Sequence, residues 1–302
     1  MRYDAIVVGG SFAGLSAALY VARARRRVCV IDAGAPRNRF AAASHGFFAQ
    51  DGENPLAMIA AARAQLAAYP NATLVTGEAV SARAQGDGFA VSLADGRRLE
   101  AAKLVLAFGI SDILPELPGL AERWGASVLH CPYCHGFEFA GRVLGVLSAG
   151  PKSVHQAELV AEWGPTTLFL NGNPAPDAEA AARLAARKVR IEPGPVRALA
   201  GDGAALSALV MADGRTVPLD ALFVGPRYRL NSPIAEGLGC AVDEGMLGPT
   251  IRTDAMKETT VSGVYAAGDA ARFPHSVAWA SANGVTAGVS LHQALVFPRL
   301  AA

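Results

Sequence analysis

Two short apolar runs near the start of the chain flank a glycine-rich turn and a helix-forming segment. Residues 5–8 and 28–31 are continuous apolar runs, which are typical of strands buried on both faces. Between them, the glycines of residues 9–14 lead into the apolar periodicity of residues 15–19. This order predicts a strand, a tight turn, a helix and a second parallel strand.

The hydrophobic pattern then predicts a helix and a β-meander. Asn54 followed by Pro55 is typical of a helix cap and first helical residue, and the helix should run to about residue 68. Three alternating segments follow, with Asp-Gly turns at 87–88 and 95–96. They cover residues 79–84, 89–93 and 98–106.

The same order of elements recurs after a proline-rich linker at residues 115–119. It comprises a strand at 142–147, a helix from Ser153, a strand at 166–170, a helix from Asp177 and a meander at 196–224. We therefore predict an α/β fold of two Rossmann-like, three-layer ββα nucleotide-binding domains, the second inserted into the first, each with a β-meander. The predicted boundaries are 1–112 with 245–302 for the first domain and 113–244 for the second.

The first glycine turn has the features of a dinucleotide site. Gly9 allows the tight turn, the small Ser11 lets backbone approach a pyrophosphate, and Gly14 lets helix and strand pack closely. Asp32 ends the second strand, at the distance expected of a ribose ligand. Ser11 replaces the usual middle glycine, and a purely structural turn is the alternative interpretation.

The segment Cys131-Pro132-Tyr133-Cys134-His135 carries the candidate chemistry, because it holds two of the four cysteines at CxxC spacing. Thiols at this spacing close a reversible disulfide. With His130 and His135 beside them, a zinc site is an alternative, and a pair without function is another. We interpret the pair as redox-active and predict no metal.

A third motif, Gly263 to Asp269, completes a resemblance to a known family. Together with the glycine turn, residues 106–109 and the CxxC, it resembles the low-molecular-weight thioredoxin reductases over nearly the whole chain. The resemblance implies bound FAD, with Asp269 near the ribityl chain or pyrophosphate and a helix starting near Ser276 or Val277 directed at the flavin. It implies FAD contacts from Gly9, Gly10, Ser11, Phe12, Ala13, Gly14, Asp32, Arg37, Asn38, His45, Gln50, Val80, Ala107, Gly109, Gly268, Asp269 and Val277.

The second domain departs from that family where NADPH would bind. Gly150 is the one fingerprint glycine left, and Pro151 removes a backbone donor near the helix start. Asn171 ends the next strand, where family members carry arginines for the 2′-phosphate, and residues 165–182 contain no Lys or Arg. We predict a degenerate NAD(P)H-type domain and regard NADPH binding as doubtful; a different geometry using Arg227 or Arg229 is the alternative.

The remaining chemistry resembles the flavin-dependent dithiol oxidases that form disulfides in natural products such as gliotoxin and holomycin. The resemblance makes Cys134 the flavin-proximal thiol and Cys131 the interchange thiol, with electrons passing to FAD and then to oxygen or another acceptor. His135 is the predicted acid/base, with His130 or His45 as alternatives. A thioredoxin-reductase-type disulfide reductase fed by NADPH or ferredoxin, and a non-enzymatic redox sensor, are the other hypotheses.

Composition limits the partners. The net charge of the 302 residues is +1, which does not indicate a polyelectrolyte partner. Hydrophobic residues make up 52% of the chain, enough for the cores of two domains. No apolar run is long enough to span a membrane. We expect a cytoplasmic protein that binds neither nucleic acid nor membrane and acts on a small dithiol or disulfide or a thioredoxin-like protein. The resemblance implies a homodimer.

Overall fold

The computed structural model describes residues 2–150 and 152–297, folded into two α/β units. The strands are β1 (Arg2–Val8), β2 (Val28–Asp32), β3 (Ala72–Thr76), β4 (Ala79–Gln85), β5 (Gly88–Leu93), β6 (Arg98–Leu106), β7 (Ile110–Ile113), β8 (Val128–Leu129), β9 (Leu144–Leu147), β10 (Thr166–Phe169), β11 (Arg190–Glu192), β12 (Val196–Ala200), β13 (Ala208–Met211), β14 (Thr216–Pro218), β15 (Ala221–Val224), β16 (Arg227–Leu230), β17 (Val242–Glu244), β18 (Pro249–Ile251) and β19 (Val264–Ala266). The helices are α1 (Phe12–Arg23), α2 (Pro55–Ala67), α3 (Pro132–His135), α4 (Lys152–Val160), α5 (Ala178–Ala186), α6 (Ile234–Gly237) and α7 (Val277–Val296). Short 3₁₀ turns cover Arg37–Phe40, Ala121–Arg123, Phe137–Phe139 and Gly268–Ala271.

The first unit is built on one sheet in the order β3-β2-β1-β6-β5-β4, with β19 also paired to β6. The long β6 pairs in parallel with β1 and β19 and, over its first half, antiparallel with β5. Successive β1 side chains alternate in direction, so Val7 packs under α1 and α7 while Ile6 packs under the meander. The predicted three-layer ββα arrangement is confirmed.

The cap of α2 forms as its sequence predicts. The Asn54 side-chain oxygen accepts hydrogen bonds from the backbone N–H groups of Leu56 (3.0 Å) and Ala57 (3.1 Å), and Pro55 is the first helical residue. One turn differs from the expectation: Gly86 and Asp87 form it, and Gly88 already belongs to β5. Gly86 takes the positive φ of +59°.

The second unit repeats the plan with a parallel sheet, β11-β10-β9-β15-β8, and a meander, β12-β13-β14. The predicted meander at 196–224 is therefore too long, because β15 leaves it to join the parallel sheet beside β9. The predicted helices occur as α4 and α5, the latter capped by the Asp177 carboxylate. The strand β8 has two residues, too few to show the hydrophobic pattern from which a strand is predicted.

Two antiparallel strands, β7 and β16, carry the chain between the units. After β16 the chain rejoins the first core before the predicted residue 245, since Ile234, Ala235 and Cys240 pack in the cluster that contains Ile6 and Leu104. The predicted boundary between 244 and 245 is thus too late by these core residues. Residues 298–302 of the predicted first domain lie outside the described residues.

Candidate active site

A cleft of about 750 Å³ is lined by residues of both units. It brings together most residues that sequence reasoning proposed, namely Gly9, Gly10, Ser11, Phe12, Ala13, Asp32, Arg37, Asn38, His45, Ala107, Gly109, Cys131, Cys134, His135, Gly268, Asp269 and Val277. Three proposed cofactor residues do not line it. Gly14 is buried beneath the turn, and Gln50 and Val80 are exposed outside the cleft. The cofactor contacts of all these residues stay predictions.

The turn between β1 and α1 requires glycine at two positions, because a side chain there would collide with the backbone. Gly9 has φ of +111°, and a Cβ added there would lie 2.2 Å from the carbonyl oxygen of Ala107. A Cβ at Gly14 would lie 1.8 Å from the carbonyl oxygen of Gly9. Ser11 occupies the N-cap position of the 12-residue α1. The turn fits a dinucleotide pyrophosphate, because the glycines let the backbone approach a ligand closely and the positive end of α1 faces the cleft.

Asp32 lies at the end of β2 with its carboxylate facing this turn. Its Oδ1 accepts hydrogen bonds from the backbone N–H groups of Gly10 (3.3 Å) and Gly34 (3.2 Å). Its Oδ2 lies 2.7 Å from Nη1 of Arg63 on α2. Sequence reasoning missed Arg63, since no local signal links a helical arginine to an acid 31 residues earlier.

Arg37 is the centre of a buried ion-pair network. Its Nε and Nη2 donate to the two carboxylate oxygens of Asp112 at 2.9 and 2.6 Å, and its Nη1 donates to Oδ2 of Asp269 at 3.0 Å. Burial opposes the Arg37 charge, but the hydrogen bonds to Asp112 and Asp269 outweigh it and raise the Arg37 pKa. The guanidinium therefore stays charged and ties three separate segments together.

The redox pair lies in a short helical turn, with Cys131 at the N-cap of α3 and Cys134 one turn later. Both are free thiols. The Cys134 thiol donates a hydrogen bond to Cys131, and this bond lowers the Cys131 pKa to about 7 although burial opposes it. The backbone N–H groups of Cys134 and Tyr133 also lower the Cys131 pKa. The same hydrogen bond, together with burial, raises the Cys134 pKa. Cys131 is therefore the thiolate of the pair.

Three histidines line the cleft near the cysteines. Burial lowers the pKa of His135, and burial with the nearby Arg37 charge lowers that of His130 to about 4, so both imidazoles are neutral at pH 7. The ring of His45 lies 6.4 Å from that of His135, edge to face. Its Nε2 is 3.3 Å from a carboxylate oxygen of Glu138.

The different acidities of the two thiols predict selective alkylation. We expect iodoacetamide to modify Cys131 of the reduced protein with a pH midpoint near 7, because the thiolate is the reactive form and is populated above that pKa. Cys134 should react slowly up to pH 9, because its pKa is raised. Peptide mapping after timed alkylation measures both rates. Faster modification of Cys134 at pH 7 would contradict the assignment.

Two general findings complete the description of the site. No helix in residues 2–150 and 152–297 is long and apolar enough to cross a membrane. Within the same residues, no three His, Cys, Asp or Glu side chains are grouped so as to hold a metal ion.

Comparison with known proteins identifies the family. The model of the family described as pyridine nucleotide-disulphide oxidoreductase matches residues 3–284. Thioredoxin reductase tcpT of Claviceps purpurea (strain 20.1) is 32% identical over 302 residues, covering 94% of this chain and 92% of that protein.

Among solved structures, an oxidoreductase from Agrobacterium tumefaciens is 47% identical with a TM-score of 0.95, covering 99% of this chain and 100% of that one. The crystal structure of HlmI is 36% identical with a TM-score of 0.92, covering 98% and 93%. A cleft that joins a dinucleotide turn to a CxxC pair agrees with these similarities. The chain belongs to the pyridine nucleotide-disulphide oxidoreductase family, as an FAD-dependent thiol-disulfide oxidoreductase of the thioredoxin-reductase type.

Proposed function

We propose that this protein oxidises a dithiol to a disulfide through Cys131 and Cys134 and passes the electrons to FAD and then to oxygen or another acceptor. The proposal adds the direction of the reaction, from dithiol to disulfide, to the family assignment. One observation supports it above others: where the family carries arginines for the 2′-phosphate of NADPH, the second unit has residues 171–173, and the Asn173 side chain makes its hydrogen bonds internally. NADPH would then not be the electron donor, and electrons would enter from a thiol.

The internal hydrogen bonds involve the ends of β9 and β10. The Asn173 amide donates to the carbonyl oxygens of Ser148 and Leu170, both at 3.0 Å. The backbone N–H of Ala149 donates to the Ser153 hydroxyl at 2.9 Å. Asn173 held in this way offers no cation to a 2′-phosphate, and residues 165–182 contain no Lys or Arg that could replace it. Pro151, the other predicted obstacle, lies outside the described residues.

The thiol chemistry follows from the acidities of the pair. One substrate thiolate attacks the Cys131 sulfur of the oxidised pair, the Cys131–Cys134 bond breaks, and a mixed disulfide forms. The second substrate thiolate then displaces Cys131 and closes the substrate disulfide. Cys131 is a good leaving group because its pKa is low. The substrate loses two electrons and two protons, and the cysteine pair gains both electrons.

We assign the proton transfer to His135, which is neutral at pH 7 and lines the cleft. His130 is a poorer base, because its pKa of about 4 gives it little affinity for a thiol proton. His45 already lies within 3.3 Å of the Glu138 carboxylate and 3.6 Å of that of Asp51. The orientation of the His45 ring is therefore fixed by two carboxylates and not by the cysteine pair.

The cleft residues fit FAD. The Gly9 to Ser11 turn would hold the pyrophosphate and Asp32 the adenosine ribose, while Asp269, held by Arg37, would face the ribityl chain. When bound, FAD supplies the two-electron acceptor that restores the disulfide between the two cysteines. The protein contributes a charged wall through the partly buried Arg37 network.

A reductase running in the opposite direction is the second candidate. It is favoured by the names of several relatives, which are thioredoxin reductases. Under that alternative NADPH or ferredoxin would reduce the flavin. A non-enzymatic redox sensor, in which the cysteine pair changes state without flavin turnover, is the third. We also propose a homodimer, a cytoplasmic location, and a substrate that is either a small dithiol or a thioredoxin-like protein.

Anaerobic rapid mixing with each electron donor tests the proposal. We expect dithiothreitol to bleach the flavin absorbance near 450 nm through the cysteine pair, and oxygen to restore it with turnover. NADPH at micromolar concentration should bleach it slowly or not at all, because the end of β10 carries asparagines in place of cations for the 2′-phosphate. Fast, saturable bleaching by NADPH would establish the reductase instead. Thiol reduction of the disulfide without flavin bleaching would establish the sensor.

A further inference from the structure

His275 lies between the 3₁₀ turn Gly268–Ala271 and α7, and it lines the cleft. Sequence reasoning assigned it no role. Its ring contacts the rings of Tyr228 and Phe273 edge to face, with centroids 5.2 and 5.5 Å apart. These contacts fix the ring plane, so the directions of its two nitrogens are fixed as well.

The hydrogen bond to Arg37 determines the His275 tautomer. Nδ1 lies 2.9 Å from Nη1 of Arg37. A guanidinium has donors only, so Nδ1 must be the acceptor. Burial lowers the His275 pKa, which keeps the ring neutral at pH 7. A neutral ring with an accepting Nδ1 carries its single proton on Nε2.

That Nε2–H group is buried and makes no hydrogen bond in the described part of the chain; the Arg272 backbone carbonyl also interacts with the ring but makes no hydrogen bond with Nε2. Three other buried side-chain atoms in residues 2–150 and 152–297 also have no hydrogen-bond partner: a donor nitrogen of Arg2, a donor nitrogen of Arg272 and the acceptor oxygen of Asn283. Only His275 among these four lines the cleft. A buried donor without an acceptor is unfavourable, so this one points to an acceptor on a ligand of the cleft.

The position of His275 along the cleft narrows the choice of acceptor. The pyrophosphate turn lies at Gly9 to Ser11, whereas His275 directly precedes Ser276, the N-cap of α7, and its charge would be felt by His130, the residue before Cys131. His275 is therefore at the end of the cleft where the redox pair meets the flavin ring. The acceptors of that ring are the carbonyl oxygens and nitrogens of its pyrimidine half, because the xylene half has none.

We propose that the Nε2–H of His275 donates a hydrogen bond to the pyrimidine edge of the bound flavin. Arg37 holds the donor in place through Nδ1, and α7 directs its positive end to the same region. Negative charge grows on the pyrimidine edge when the flavin is reduced, and a fixed donor stabilises it more in the reduced than in the oxidised state. His275 is thus a binding residue that raises the flavin reduction potential.

Two isosteric variants separate the two ring nitrogens. In His275→Asn the amide overlies Nδ1, so it can accept from Arg37 but cannot reach the Nε2 position. In His275→Gln the amide reaches the Nε2 position and can donate, but it leaves Nδ1 unreplaced. We measure the equilibrium of bound flavin with a reference dye, and the dissociation constant of FAD by flavin fluorescence.

We expect His275→Asn to lower the ratio of reduced to oxidised flavin about tenfold at a given potential, a shift of about 30 mV for a two-electron couple. His275→Gln should stay within about threefold of the wild type. Equal losses in both variants would overturn the proposal, since they would point to support of Arg37 alone. Weaker FAD binding at an unchanged reduction potential would overturn the proposal in favour of a phosphate or ribityl contact. No change in the potential or in the dissociation constant of FAD would overturn it as well, because the N–H would then face the Tyr228 ring.

This proposal rests on FAD binding and not on the direction of the thiol reaction. The potential of the bound flavin is the same whether electrons enter from a dithiol or from NADPH. A wild-type protein that binds no FAD would defeat the proposed function itself, whereas a failure of the His275 variants to differ would leave that function intact.

Discussion

Replacing either cysteine of the pair with serine is expected to abolish dithiol-dependent turnover, by about a thousandfold or more. The two variants should fail differently. Cys134→Ser keeps Cys131, whose thiolate still receives backbone hydrogen bonds from the N–H groups at 133 and 134, so it should attack the disulfide form of the substrate, expel one of its thiolates and trap a mixed disulfide. It should pass no electrons to the flavin, because the pair can no longer close.

Cys131→Ser should instead leave an ionisable thiol beside the flavin. The hydrogen bond from Cys134 to Cys131 is the main cause of the raised Cys134 pKa, so its removal should let Cys134 form a thiolate. A long-wavelength charge-transfer band in the flavin spectrum would then appear as the pH rises. Cys240→Ser is the matched control, since Cys240 is buried outside the cleft and a serine can keep its hydrogen bond to Thr259 (3.4 Å).

The opposite spectra would reverse the roles of the two sulfurs. That result is a charge-transfer band in Cys134→Ser and none in Cys131→Ser. If both variants oxidise dithiothreitol at the wild-type rate, the pair is not catalytic. Denaturing mass spectrometry of the trapped mixed disulfide identifies the attacking sulfur independently of the flavin spectrum.

Replacing Gly14 with valine should yield protein without flavin, whereas the wild type should be yellow. Even the first side-chain carbon at this position would lie 1.8 Å from the Gly9 carbonyl oxygen and 3.2 Å from the Val7 side chain. The helix α1 must then move away from the turn that would hold the pyrophosphate. We expect Gly14→Ala to lose FAD as well, because the conflict is already present at Cβ. The measurement is the ratio of flavin absorbance to protein absorbance after gel filtration.

Gly237→Ala is the matched control, because an added Cβ there meets no atom within 4 Å. Circular dichroism shows whether the Gly14 variants remain folded. If they unfold, Gly10→Ala is the second test, since the atoms that its Cβ would meet first belong to the Asp32 side chain, at 2.6 Å, and not to the backbone. Full flavin retention by both Gly14→Ala and Gly10→Ala would show that the turn does not hold the cofactor.

Local pattern accounts for most of the fold that the sequence predicts correctly. The apolar runs of β1 and β2, the Asn54 cap and the alternation of β4 to β6 depend on residues that are neighbours in the chain. Where the pattern failed, long-range pairing decided the outcome. β15 joins the parallel sheet and not the meander, because Ala221 to Val224 find a partner in β9, far away in sequence.

The sequence by itself determined the two-unit ββα plan, the CxxC chemistry and the glycine turn, since each is fixed by residue types at short spacing. Only the tertiary structure revealed that Arg37 pairs with Asp112 and Asp269, residues 75 and 232 positions away. The same holds for the protonation of the cysteine pair and for the unpartnered donor of His275. Hydrogen bonding and burial depend on which distant segments meet, and a side chain's position in the chain does not encode them.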